Sequence, residues 1–254
     1  MVLFLSQIFH KAKWILPVLV ITLAGCSPKL HLSGNTPHLY PIKNLPADSS
    51  ILAYYKSYKA GIDSQMNTVI GVASVNIERG RPEGLLNNLV ADVMFQAGNE
   101  NHIEFDFAHT NYYSLRNPIS AGPIKAFKIY ELMPFENYFV TVKLKGADIL
   151  DLFNYMAAGG GDPISGATFC IKDGKASDIM IQGIPFDVSR DYTVLTNDYL
   201  ANGGDKAVIY TRALKRTEST IKVRDALLNY IKQQQAAGKS INPKLDHRIQ
   251  TIKL

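Results

Sequence analysis

The stretch Thr196-Asn197-Asp198-Tyr199-Leu200-Ala201-Asn202-Gly203-Gly204-Asp205 decides how this chain is read. Tyr192-Thr193-Val194-Leu195 leads into it, β-branched and apolar, which predicts a short strand. The strand then meets polar residues and a Gly-Gly pair. Adjacent glycines accept positive φ and close backbone approach, so the chain can turn sharply at a sheet end. Such a turn would hold the Tyr199 ring and the Asp205 carboxylate together. A flat ring offers a stacking face, and a carboxylate accepts hydrogen bonds from paired hydroxyls. A ligand with an aromatic base and a sugar suits both. The plainer reading is a hairpin in which Tyr199 packs and Asp205 caps the turn, since Asn, Gly and Asp are favoured there.

Upstream, Asp48-Ser49-Ser50 predicts the cap of a helix from Ile51 to Ile62, with Ile51, Tyr54, Tyr55 and Tyr58 at helical spacing. A strand is expected between Asn67 and Glu78, and an amphipathic helix from Leu85 to Ala97 that stops at Gly98. Ile103 to Phe107 alternates as a half-covered strand. Ile124 to Leu132 reads as a short helix or turn, Tyr138 to Leu144 as a strand, and Gly146 to Ala158 as a helix ended by three glycines. Strands at Ala167–Ile171 and Ala176–Ile181 flank the turn Lys172-Asp173-Gly174. A helix from Ile221 to Gln235 and a strand from Ile249 to Leu254 close the chain. Strands and helices mix without a βαβ repeat, so the fold class is α+β, one domain over residues 48–254.

The N-terminus reads differently. Lys11 and Lys13 precede an apolar run from Trp14 to Leu23, and Leu23-Ala24-Gly25-Cys26 follows. A cationic start, a short apolar core and small residues make an export signal over residues 1–25. The run falls short of the roughly 20 residues of a membrane span. The Leu-Ala-Gly-Cys ending resembles a bacterial lipobox, which implies cleavage before Cys26 and its lipidation. The alternatives are a plain signal peptide or an uncleaved anchor. Residues 26–47, rich in Pro, His, Ser and Asn, form a tether. The expected location is the periplasm-facing outer membrane.

Net charge is +5, or +3 without Lys11 and Lys13. That is too mild for a nucleic acid polymer as partner. Cys170 is the one remaining cysteine and reads as buried core. The six histidines show no metal-ligand spacing. Gly98-Asn99-Glu100-Asn101-His102 is only superficially similar to a metallophosphatase element, because the His is displaced and no Asp-x-His lies upstream. A two-metal site needs a dense set of carboxylates and imidazoles, so no metal or other cofactor is assigned to this chain. No nucleophile elbow or phosphate loop is present, and no catalytic residue is nominated. Stacking platforms remain. Pro134-Phe135-Glu136-Asn137 sets a ring and an amide before a strand, and Arg116 ends a Tyr-rich loop with a rigid fork of donors. Each has a bland reading: Phe135 as core, Asn137 as a turn former, Arg116 as a surface cation.

The order of these pieces resembles the C-terminal, substrate-binding domain of bacterial 5′-nucleotidases and related hydrolases. Pro134 to Asn137, then Leu144-Lys145-Gly146, and the stretch Thr196 to Asp205 carry the resemblance. It implies a nucleobase held between Phe135 and Tyr199, an amide contact from Asn137, sugar hydroxyls on Asp205, and Arg116 in the place of the family's loop arginine. Asn111-Tyr112-Tyr113-Ser114-Leu115 replaces that loop's glycines. Glu83 to Leu89 resembles the family's Glu-Ser-Asn-Leu-Gly-Asn-Leu helix start, with Leu85 replacing its asparagine; Arg79 and Arg81 match further arginines loosely. In the family, metals and the catalytic Asp-His pair belong to a separate metallophosphatase domain. The resemblance therefore implies a nucleoside- or nucleotide-binding subunit of a split hydrolase, with divalent metals in a metallophosphatase partner. A lipid-anchored nucleoside or nucleotide binding protein without catalysis is the alternative.

Overall fold

A computed structural model describes Gly34, Tyr40 and residues 46–252. The export signal, Cys26 and most of the tether lie outside the described residues. The residues Ser50–Leu254 form one compact unit.

Three sheets organise it. β1 (Val69–Ala73) pairs antiparallel with β3 (Gly122–Lys125). A five-stranded sheet has the order β10 (Lys215–Lys222), β4 (Tyr138–Lys145), β9 (Asp191–Asn197), β2 (Phe107–His109) and β5 (Ile164–Ser165). A four-stranded sheet runs β11 (Ile249–Thr251), β6 (Ala167–Lys172), β7 (Lys175–Ile181) and β8 (Ile184–Pro185). The mixture is α+β, as the irregular order of elements requires.

The middle strands of the five-stranded sheet feed two cores, because successive side chains point to opposite faces. Leu195, Ala108 and Phe139 join the core built on the helices Leu85–Glu100 and Val223–Ala236. Val194, Phe107 and Val140 join the core under the helix Gly146–Ala158. In that second core Phe153 is fully buried, 5.5 Å from the Phe107 ring and 5.3 Å from the Phe169 ring. Truncating such a side chain costs about 3–5 kcal/mol.

The helix Gly146–Ala158 and the turn at Asp173-Gly174 match expectation; both turn residues take positive φ, as a tight two-residue hairpin demands. Other elements differ. The first helix runs Ser49–Met66, and the strand expected from Asn67 to Glu78 stops at Ala73. Gly98 does not end its helix, which continues to Glu100. A Cβ there would lie 2.5 Å from Phe105 and 2.7 Å from Leu195, so the glycine serves close packing. Ile103 to Phe105 is not strand; pairing begins at Phe107. Part of the expected helix at Ile124 is β3, and helix follows only at Ala126–Leu132. β10 was not foreseen, since Lys215-Arg216-Thr217-Glu218-Ser219-Thr220 lacks apolar alternation. It is an edge strand with its polar residues in solvent. Cys170 is half-buried rather than core, and partial burial raises its thiol pKa.

Candidate functional site

Sheet topology brings three distant segments to one edge. β2 and β9 are parallel, so their C-terminal ends lie side by side. β4 is antiparallel to β9, with Phe139 opposite Asn197, so its start shares that edge. The loops after β2 and β9 and the loop before β4 enclose a cleft of about 140 Å³. Its lining includes all five residues singled out from the sequence: Arg116, Phe135, Asn137, Tyr199 and Asp205. Asn111, Tyr113 and Ser114 line it too.

The stretch after β9 is not a hairpin. Asn197 caps a single helical turn, Asp198–Ala201, by accepting a 2.9 Å hydrogen bond from the Leu200 amide. Its amide nitrogen donates to Thr110 Oγ1 at 2.9 Å, tying the β9 loop to the β2 loop. The two glycines then do different things. Gly203 takes φ 83°, the left-handed conformation that breaks the helix. Gly204 lies against the Tyr199 ring, and a Cβ there would fall 2.5–2.6 Å from three ring carbons. One face of the ring thus rests on glycine backbone, while the residue remains 44% exposed.

Asp205 is already engaged. Its Oδ1 accepts the Tyr199 hydroxyl at 2.8 Å, and its Oδ2 accepts Asn111 Nδ2 at 2.6 Å. The Tyr155 hydroxyl donates to its carbonyl at 3.0 Å. Donation to the carboxylate raises the Tyr199 phenol pKa, because that bond favours the protonated ring. The Tyr155 phenol is also raised, chiefly by burial and then by the charge of Asp162. Asp205 therefore orients the Tyr199 ring first; each carboxylate oxygen keeps a second lone pair for a ligand hydroxyl.

Across the cleft, Phe135 is 36% exposed, and the Arg116 guanidinium carbon stands 5.2 Å from its ring centroid. The Asn137 carbonyl accepts the Val223 amide at 2.9 Å, which fixes the backbone ahead of β4. Among the described residues, the Asn137 amide group and the Arg116 guanidinium carry no hydrogen bond. With the Tyr113 hydroxyl, they are uncommitted polar groups of the cleft among the described residues.

Beyond Arg116, the tyrosine loop is braced by cations. Arg79 and Arg81 stand 4.7 and 4.3 Å from the Tyr112 ring, and Arg79 donates to the Leu115 carbonyl at 3.1 Å. Asp162 Oδ1 accepts the Tyr112 amide at 3.3 Å. Beneath lies His109, fully buried: its Nδ1 shares a 2.7 Å hydrogen bond with Tyr210, and its Nε2 is 3.5 Å from Asp162 without a hydrogen bond. Sequence reasoning did not single out Asn111, Tyr113 and Ser114 as cleft residues. The available signal was position, since all three follow the end of β2. Glu83 and Asn88 serve structure: Glu83 accepts from Asn88 and from the Asp246 amide. Among the described residues no group of three or more His, Cys, Asp or Glu is placed to hold a metal ion.

The fold is that of the 5′-nucleotidase C-terminal domain. The family model of the 5′-nucleotidase C-terminal domain matches residues 69–214, and the chain belongs to that family. It is 28% identical over 247 residues to the cell wall protein Lmo0130 of Listeria monocytogenes, covering 82% of this chain and 30% of that relative. It is 23% identical over 182 residues to a 5′-nucleotidase of Vibrio cholerae, covering 70% of this chain and 33% of that protein. The crystal structure of a 5′-nucleotidase precursor from Thermus thermophilus superposes with a TM-score of 0.67 at 26% identity, covering 81% of this chain and 43% of that one. The chain thus spans about a third of the length of these two curated relatives.

Proposed function

We propose that this chain is the nucleoside- or nucleotide-binding subunit of a split 5′-nucleotidase-type hydrolase. The base stacks between Tyr199 and Phe135, Asn137 reads its edge, Asp205 accepts from the sugar, and Arg116 faces the more polar end of the ligand. The observation that carries this reading is the convergence of these five side chains in one cleft from segments far apart in sequence. Divalent-metal chemistry is assigned to a metallophosphatase partner, as the resemblance to the hydrolase family implies. The same reading puts the chain outside the cytoplasm, held by a lipidated Cys26 on the periplasm-facing outer membrane. The Leu23-Ala24-Gly25-Cys26 ending supports the lipid anchor, and a cell wall protein among the relatives supports export.

Calorimetric titration with adenosine and AMP tests the cleft, and phosphate release from AMP tests the split. Binding without hydrolysis by the pure chain in divalent metal, and hydrolysis on adding a co-purifying metallophosphatase, is the expected pattern. Rapid metal-dependent hydrolysis by the chain alone refutes the split. Binding with no co-purifying partner leaves a carrier without catalysis.

A further inference from the structure

We infer that the helix Ser49–Met66 lies on the membrane surface and holds the domain against the bilayer. The inference rests on the anchoring reading above. At 3.6 residues per turn, Ile51, Tyr54, Tyr55, Tyr58, Ile62 and Met66 fall within one arc of about 120°. This is an apolar stripe of the width that normally faces a protein core. Most of it faces outward: Tyr54 is 75%, Tyr58 64%, Ile62 56% and Tyr55 39% exposed, while Met66 at the end of the helix is half-buried. Lys59 borders the stripe and pairs with Asp63 at 2.6 Å, and Lys56 lies farther round on the same side.

Two observations select a lipid surface as the occupant. First, half of the stripe is tyrosine. A phenol has an apolar body and a polar tip, and such rings settle at headgroup level. A dry protein interface would have to supply each phenol with a partner. Second, the helix begins just beyond the tether. Residues 27–48 reach at most about 75 Å when fully extended, so a lipidated Cys26 keeps the helix within reach of the bilayer. The helix is too polar to span a membrane, and no described helix is long and apolar enough to do so.

The anchor also solves the problem of weak affinity. An interfacial helix binding about as well as one myristoyl chain has an association constant of about 10⁴ M⁻¹. A tether of this length supplies an effective concentration of about 1 mM. Their product is about 10, so the helix is docked roughly nine-tenths of the time.

The test compares amide hydrogen exchange of residues 49–66 in two states. One is the full acylated chain in phosphatidylethanolamine–phosphatidylglycerol vesicles. The other is an unacylated Cys26→Ser chain in solution. Exchange should slow about tenfold on the vesicles, following the product above. A Tyr54→Glu, Tyr58→Glu chain should still float with vesicles through its acyl groups and still bind adenosine, yet lose the slowing. Glutamate is a good helix former, so circular dichroism should show the helix intact. Unchanged exchange in a floating wild-type chain overturns the inference, as does slowing that survives the glutamates. Slowing that appears only at higher chain concentration or with added metallophosphatase assigns the stripe to a protein and overturns it as well. Flotation reports the anchor separately: a chain that does not float removes both readings.

Discussion

Replacing Gly204 by alanine should weaken nucleoside binding although no ligand-facing side chain is itself replaced. The new methyl would lie 2.5 Å from Tyr199 Cε1, and 2.6 Å from Cδ1 and Cζ. Carbon atoms rest at about 3.5–4.0 Å, so the ring must retreat by about 1 Å or more. Tyr199 is half-exposed and can move, so folding should suffer little. Movement breaks the 2.8 Å bond to Asp205 and carries the ring into the space a base would occupy. Base–aromatic stacking is worth about 1–3 kcal/mol, hence adenosine affinity should fall about 5- to 150-fold. A double-mutant cycle with Tyr199→Ala isolates the cause. In the Tyr199→Ala background the ring is gone, and Gly204→Ala should add almost nothing. Calorimetry on the four proteins gives the coupling. Equal losses from Gly204→Ala with and without the ring, or none in the wild type, would refute this account of the second glycine.

Asn111→Ala removes the 2.6 Å donor to Asp205 and should destabilise the domain by about 1–2 kcal/mol, read as a lower urea midpoint, with weaker adenosine binding. Arg248 is buried and bonds both Asp92 oxygens, Asp246 and the Ile164 carbonyl; Arg248→Met should cost about 2–3 kcal/mol and lower Tm by about 5–10 °C. That arginine holds the Asp246 carboxyl below its ordinary 3.8. The stabilisation is therefore complete above that pH and fades as pH falls through the lower folded value, and acid unfolding of Arg248→Met should lack this part of the slope. Tyr113 is exposed at the cleft mouth, so Tyr113→Ala should change stability by less than about 0.5 kcal/mol in thermal melts while altering the ratio of adenosine to AMP affinity.

Local chemistry made much of this legible. The helix Gly146–Ala158 carries its apolar stripe, its start and its glycine stop within one short window. Phe135 and Asn137 stand before the alternating strand β4, and Tyr199 and Asp205 follow the apolar strand β9 around a Gly-Gly pair, so local sequence singled them out. Features set by distant partners could not be found. Nothing near Gly98 announces that Phe105 and Leu195 press on it. Nothing near Asp205 announces Asn111, which lies 94 residues away. β10 escaped because an edge strand with polar faces has no period to detect.

The parallel pairing of β2 with β9 has a kinetic consequence. Asn197 meets Thr110 across 87 residues, and that loop must close before the cleft has walls. Long-range parallel pairing is slow relative to local helix formation. The recognition surface should therefore be among the last features acquired by a nascent chain, and a ribosome-bound fragment ending before Asp191 would carry the Arg116 and Phe135 side yet have no opposing wall. Ligand added during refolding would then report arrival at the native state and would leave the early steps unhurried.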